Sequence, residues 1–198
     1  MNTFVEIVTA PGVSLEQMLV AREDRAARQS AALARFGQPL VSISVVMPGP
    51  MKDGSLPRHV LEVAQQQITA LARRRRWPVL SGEVRRPETG PEAIYVIAVK
   101  PVVLKAATVE MEDEHPLGRL WDLDVIAPGQ GKLSRRALAL PARCCLVCDK
   151  PAFECGRSRR HPLDELLNTV RSIVHKYDQC RGTGGIRGNR ICMGDARS

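Results

Sequence analysis

Two aspartates one residue apart, Asp122 and Asp124, interrupt an apolar run in GRLWDLDV, residues 118–125. Burying an unpaired carboxylate costs several kcal/mol, and two close together repel, so the pair calls for positive charge beside it. GRLWDLDVIA reads as a strand, in which alternate side chains share a face. Trp121, Leu123 and Val125 then point one way and the aspartates the other, with Cα atoms of the pair about 6.5–7 Å apart. Carboxylates so placed can hold one Mg²⁺, or bridge two metals about 4 Å apart as in phosphoryl-transfer sites. Gly118 and Arg119 precede them: one permits close backbone approach, the other is a phosphate-type ligand. Lys52, Arg22 and Arg25 are further cations for the same place. The plainer alternative is a half-exposed strand whose aspartates face solvent and pair with arginines.

A second constellation lies downstream. Cys145, Cys148, Cys155 and His161 stand in the spacing C-x₂-C-x₆-C-x₅-H, with the ligand number and types of a structural Zn²⁺ site. All six cysteines lie beyond residue 143. Reduced, clustered thiols point to metal more than to a disulfide framework. The alternative is a set of reduced, partly buried thiols with His161 beside the final helix. A redox role for Cys145 and Cys148 is disfavoured, because the motif does not open a helix after a strand.

These groups need elements to position them. Ser14 to Gln17 reads as a capping box. Behind it Leu15, Leu19, Ala26, Leu33 and Phe36 recur at mostly helical spacing up to Gly37, while Arg22, Arg25 and Gln29 share another stripe. LVSISVVM, 40–47, reads as a strand ending in Pro48-Gly49-Pro50. A helix follows from about Ser55, with Val60 or Leu61, Ala64, Ile68 and Leu71 inward and Arg73 to Arg76 at its end. WPVLSGEV (77–84) and AIYVIAV (93–99) read as strands. Residues 102–114 fit either period; a helix is favoured. The segment 127–160 looks irregular apart from a short strand at Ala137 to Leu140. Residues 162–177 form a helix, and the tail 179–198 reads as mobile.

The order strand, helix, strand, strand, helix, strand predicts an α+β fold with a ferredoxin-like βαββαβ core. A helix is added in front, and a Cys-rich extension ending in a helix follows. The expected organisation is one domain over 1–178, with its core at about 39–127 and its extension at about 128–178. The chain of 198 residues carries a net charge of +8, which suggests a polyanionic or acidic partner, or simply an arginine-rich genome. Aromatics are only 4%, which disfavours a single-strand nucleic-acid binder. Neither a targeting segment nor a membrane-spanning run is visible, so the expected location is the cytoplasm, with reduced thiols.

Locally, GRLWDLDV resembles the GPRxxDLDI motif of folate-pathway pyrophosphokinases and the Gly…Asp-x-Asp pattern of polymerase-β-type nucleotidyltransferases. A longer resemblance runs through VSLEQMLVAREDRAARQ (13–29), PLVSISVVMPGPMKD (39–53), HPLGRLWDLDV (115–125) and LSRRALALPARCCLVCDKPAFECGRSRRH (133–161). Together these resemble the apo-citrate lyase phosphoribosyl-dephospho-CoA transferases, also called citrate lyase holo-acyl-carrier-protein synthases. The resemblance implies transfer of the 2′-(5″-phosphoribosyl)-3′-dephospho-CoA group from its triphosphate precursor to a serine of the citrate lyase acyl-carrier (γ) subunit, releasing pyrophosphate. Asp122 and Asp124 would hold Mg²⁺. Arg119, with Lys52, Arg22, Arg25, Gly118 and Arg135, would serve the phosphates. His115 or a third carboxylate would take the serine proton, although His115, before Pro116, equally suits a turn. Two other readings stay open: a basic nucleic-acid-binding module with a zinc knuckle, and a pyrophosphokinase acting on a small alcohol.

Overall fold

A computed structural model describes residues 12–182. Helix α1 (Leu15–Phe36) starts on Ser14, whose side chain accepts from the Gln17 amide while the Gln17 side chain accepts from the Ser14 amide. It stops at Gly37, whose φ of 61° ends the helix in the left-handed region. Strand β1 (Leu40–Val45), helix α2 (Ser55–Arg75), strands β2 (Val79–Arg85) and β3 (Glu92–Ile97), helix α3 (Pro101–Glu114) and strand β4 (Trp121–Ala127) follow. The ambiguous stretch is therefore helical, with Pro101 at its first turn, where no amide hydrogen is needed.

Among the described residues the strands form one five-stranded sheet in the order β2-β3-β1-β4-β5, every neighbouring pair antiparallel. Strand β5 (Gly131–Lys132) is a short hairpin partner of β4 that periodicity did not signal. The expected strand at Ala137 to Leu140 is absent; Arg135–Leu138 forms a 3₁₀ turn instead. Helix α4 (Ala152–Ser158) lies in the stretch read as irregular, too short to show a period. Helix α5 (Leu163–Gly182) runs past the expected tail boundary at Gln179, and the rest of that tail lies outside the described residues.

The sheet has a helix layer on each face. Val41, Ile43, Leu123, Val125 and Trp121 meet Val60, Leu61, Ala64 and Ile68 of α2, Leu104 of α3, and Val170 and Val174 of α5. Each large side chain buried there contributes about 1.5–3 kcal/mol. The Trp121 indole also donates to the Val60 carbonyl at 3.1 Å. On the other face, Ala32, Leu33 and Phe36 of α1 pack on Leu40, Ile94, Val96 and Ile126. Leu15 and Leu19, at the other end of the same stripe, are exposed. Neither belongs to an apolar cluster of the described residues.

Gly118 fixes the join between α3 and β4. A Cβ at this position would lie 2.5 Å from the carbonyl oxygens of both Met111 and Glu112. Backbone cannot retreat as a side-chain tip can, so Gly118→Ala is expected to lower stability by about 1–3 kcal/mol. Urea unfolding measures this directly.

Candidate functional site

Strand β4 alternates as expected: Trp121, Leu123 and Val125 are buried, whereas Asp122 and Asp124 are half-buried on the α1 face. The register places Asp122 opposite Ser44 and Asp124 opposite Ser42 on β1, with Glu92 of β3 beyond Ser44. One end of this sheet face therefore carries oxygen-bearing side chains from three strands. Neighbouring strands are about 4.8 Å apart, so Asp122 and Glu92 are separated by roughly 10 Å.

The cations beside these carboxylates are only partly those anticipated. Lys132 on β5 approaches Asp124, Nζ to Oδ2 2.5 Å. Arg143 lies 3.9 Å from Asp122 and donates to the carbonyls of Gly118, Arg119 and Trp121. Arg25 reaches Glu92 at 3.2 Å, and Arg28 of the same helix binds both Glu92 and Asp24. Gln29 donates to the Ser42 hydroxyl at 2.8 Å. The polar stripe of α1 thus faces the polar end of the sheet. Arg22 is exposed, one turn before Arg25, with no ion pair to a described residue.

Burial and the charge of Asp122 raise the Asp124 carboxyl above the usual carboxylate range, against the pull of Lys132 and Lys105. Lys105 and Glu112 act from below. The Glu112 carboxylate accepts from the Leu123 amide at 2.8 Å, and the Lys105 ammonium donates to the Leu123 carbonyl at 3.1 Å. Both polar groups of the residue between the aspartates are thereby satisfied by α3 side chains rather than by a neighbouring strand. Arg135 closes this cluster, donating to Glu112 at 2.7 Å and to Asp113. It is a brace beneath β4 in this structure.

Other anticipated residues are placed elsewhere. The Arg119 guanidinium donates to the carbonyls of Cys144 and Cys145 and so ties down the cysteine segment. Lys52 sits in the loop leaving β1 and donates to the Met47 carbonyl at 2.6 Å; burial lowers its pKa. Gly118 serves the packing of α3 described above. His115 caps α3, accepts from the Leu117 amide through Nδ1, and stacks on Trp121 with ring centroids 4.4 Å apart. Because Trp121 points to the α2 face, the imidazole stands across the sheet from the aspartates. The turn alternative for His115 is the one the geometry favours.

Burial lowers the His115 pKa to about 4. The folded pKa lies below that of the unfolded chain, so the unfolded state binds the extra proton first. Stability is then present above about pH 6.5 and is lost as pH falls towards 4, by at most about 3 kcal/mol. His115→Asn is expected to flatten this acid limb in melts recorded from pH 7 to 4.

Ser42, Glu92, Lys132, Lys105 and Glu112 escaped sequence reading, whereas Arg143 read as either a phosphate ligand or surface charge. Ser42 was legible as the strand residue two before Ser44, but its partner across the sheet was not. The rest are ordinary surface-type residues until register and helix docking bring them together.

Paired carboxylates, serine hydroxyls and flanking cations thus share one sheet face, and the chain is a transferase. Residues 13–177 match the family model described as apo-citrate lyase phosphoribosyl-dephospho-CoA transferase, and the chain belongs to that family. A protein of that name from Citrobacter koseri is 42% identical over 178 residues, spanning 90% of this chain and 97% of the relative. One from Escherichia coli O7:K1 is 40% identical over 180 residues, spanning 91% and 98%. No described helix is long and apolar enough to cross a membrane.

Proposed function

We propose that this chain transfers a phosphoribosyl-dephospho-CoA group to apo-citrate lyase, the reaction named for its family. The observation that carries this reading is the match over residues 13–177, which contains the aspartate pair together with every strand of the sheet. Family membership favours it over a nucleic-acid-binding module and over a pyrophosphokinase.

In finer detail, we read the acceptor as a serine of the acyl-carrier (γ) subunit and the donor as the triphosphate form of the group. The serine oxygen forms a bond to the α-phosphorus as the bond to pyrophosphate breaks, leaving a phosphodiester. The sheet order, with the connecting helices α2 and α3 on the same face, supports a ferredoxin-like core within a single unit over about 1–178. We place the protein in the cytoplasm, where its thiols stay reduced.

Asp122 and Asp124 fit a Mg²⁺ ion: the donor set is all oxygen, from two half-buried carboxylates with serine hydroxyls on the adjoining strand. When bound there, Mg²⁺ would supply charge stabilisation for the polyphosphate. Lys132, whose side chain is 59% exposed, has room to swing from Asp124 to a phosphate. Arg143 supplies charge beside Asp122, and exposed Arg22 of α1 and Lys52 of the loop beyond β1 would add to it when the polyphosphate binds. Arg25 and Arg28 hold Glu92. His115, on the opposite face, takes no part in proton transfer. The net charge of +8 suits docking of an acidic carrier domain.

The test incubates the protein with the apo carrier subunit, the triphosphate precursor and Mg²⁺, and weighs the carrier intact. A mass gain equal to the transferred group, dependent on Mg²⁺, is the expected result. An unmodified carrier, with AMP released from ATP in the presence of a small alcohol, would instead identify a pyrophosphokinase. Salt-sensitive RNA binding that survives Asp122→Asn would identify a nucleic-acid module.

A further inference from the structure

The cysteine segment is held by very little apolar burial. Between Leu140 and Pro162 only Cys145 and Cys155 are buried. Such a stretch needs another source of order, and its polar side chains converge on a single point. The sulfurs of Cys145, Cys148 and Cys155 and a ring nitrogen of His161 all lie within 4.8 Å of one another. Cys148 Sγ is 3.6 Å from Cys155 Sγ and 3.3 Å from His161 Nε2.

The two separations at Cys148 are close to those of a metal-centred tetrahedron. With Zn–S about 2.3 Å and Zn–N about 2.0 Å, tetrahedral angles put sulfurs about 3.8 Å apart and sulfur and nitrogen about 3.5 Å apart. The surroundings match as well. Cys145 N donates to the Lys150 carbonyl at 2.7 Å, closing a tight knuckle around Cys145 and Cys148. Amides within that knuckle, those of Val147, Cys148 and Lys150, point at the Cys145 and Cys148 sulfurs. His161 Nδ1 faces the Glu165 carboxylate at 3.2 Å, which leaves Nε2 for a metal.

We propose that Cys145, Cys148, Cys155 and His161 bind one structural Zn²⁺ that docks the segment 143–161 onto the start of β4. With all four positions filled by protein, the ion has no open site and does no chemistry. Its effect runs through the backbone. Arg119 grips the carbonyls of Cys144 and Cys145, and the Arg143 carbonyl accepts from the Ala152 amide at 2.8 Å. Arg143, two residues before the first ligand, in turn holds the carbonyls around Trp121 and approaches Asp122. The same segment, through Cys145, Leu146, Cys155 and His161, forms one wall of a cavity of about 850 Å³ whose other wall is the loop from Val46 to Gly49. The ion would thus order one side of the aspartate end of the sheet.

The inference stands apart from the transfer reaction and is tested without it. The full chain, purified from zinc-supplemented medium, is expected to carry one zinc per chain by elemental mass spectrometry. Exchange for Co²⁺ should give the intense visible bands of a tetrahedral thiolate site. Cys148→Ser should lose the metal, while Cys144→Ser, at the exposed neighbour, should keep it. Chelation should speed tryptic cleavage at the exposed Arg157, Arg159 and Arg160 at least tenfold. A parent chain without stoichiometric zinc and without cobalt bands overturns the proposal even if Cys148→Ser fails to fold. Equal cleavage with and without chelator overturns its structural role.

Discussion

Asp124→Asn is expected to slow modification of the carrier by roughly a hundred- to a thousand-fold, the scale of losing one preorganised charge-stabilising group. The same variant is expected to melt at or above the parent temperature. The sign follows from the raised pKa of the Asp124 carboxyl, which burial and Asp122 produce. A carboxylate whose folded pKa lies above its unfolded value costs stability as pH rises from the unfolded pKa to the folded one, and the full cost remains above it, because the native state disfavours the charge. Asparagine removes that cost. The lost contact to Lys132 counts for little, since that side chain is 59% exposed. Asp122→Asn should cause a comparable loss of activity and should also bring the Asp124 pKa down, by removing the neighbouring charge. Intact-mass time courses paired with thermal melts read both effects. A folded variant that modifies the carrier at the parent rate would refute the assignment of the pair.

Glu112→Ala carries the largest expected cost in stability, about 3–5 kcal/mol, the scale of breaking a buried ion pair by removing one partner. Glu112 is 3% exposed and sits among three dependants. Its carboxylate takes the Leu123 amide, pairs with Arg135 and offsets the charge of buried Lys105. Truncation strands all three. Glu112→Gln should lose less, because an amide oxygen still accepts from Leu123. Replacing Lys105 together with Glu112 by Met and Leu should recover part of the loss, since no lone charge then stays buried. Urea unfolding of Lys105→Met, Glu112→Leu and the double variant closes the cycle. Equal stability of parent and Glu112→Ala would show that the cluster does not brace β4.

Strands β1 to β4, helices α1 and α2 and the last helix were legible because their signals are local, whereas the α3 stretch fitted either period. Ser14 and Gln17 cap α1 using atoms three residues apart, and Gly37 ends it through its own φ of 61°. The alternation of Trp121 to Val125 follows from the two-residue period of a strand. Helix α4 and strand β5 were missed because seven and two residues are too few to display any period. The apolar spacing of Leu15 and Leu19 misled, because spacing shows which side of a helix is apolar and not whether anything covers it.

Sequence by itself determined that two carboxylates share a strand face, and that three cysteines and a histidine stand in metal-ligand spacing. Tertiary structure alone decided their company. It set Ser42, Ser44, Lys132 and Arg143 beside the aspartates, turned Arg119 to the cysteine segment, and put His115 behind the sheet on Trp121. The reason is reach. Capping and periodicity act over a few residues, whereas strand register and helix docking join groups such as Arg28 and Glu92, 64 positions apart, and are set by burial of the whole core.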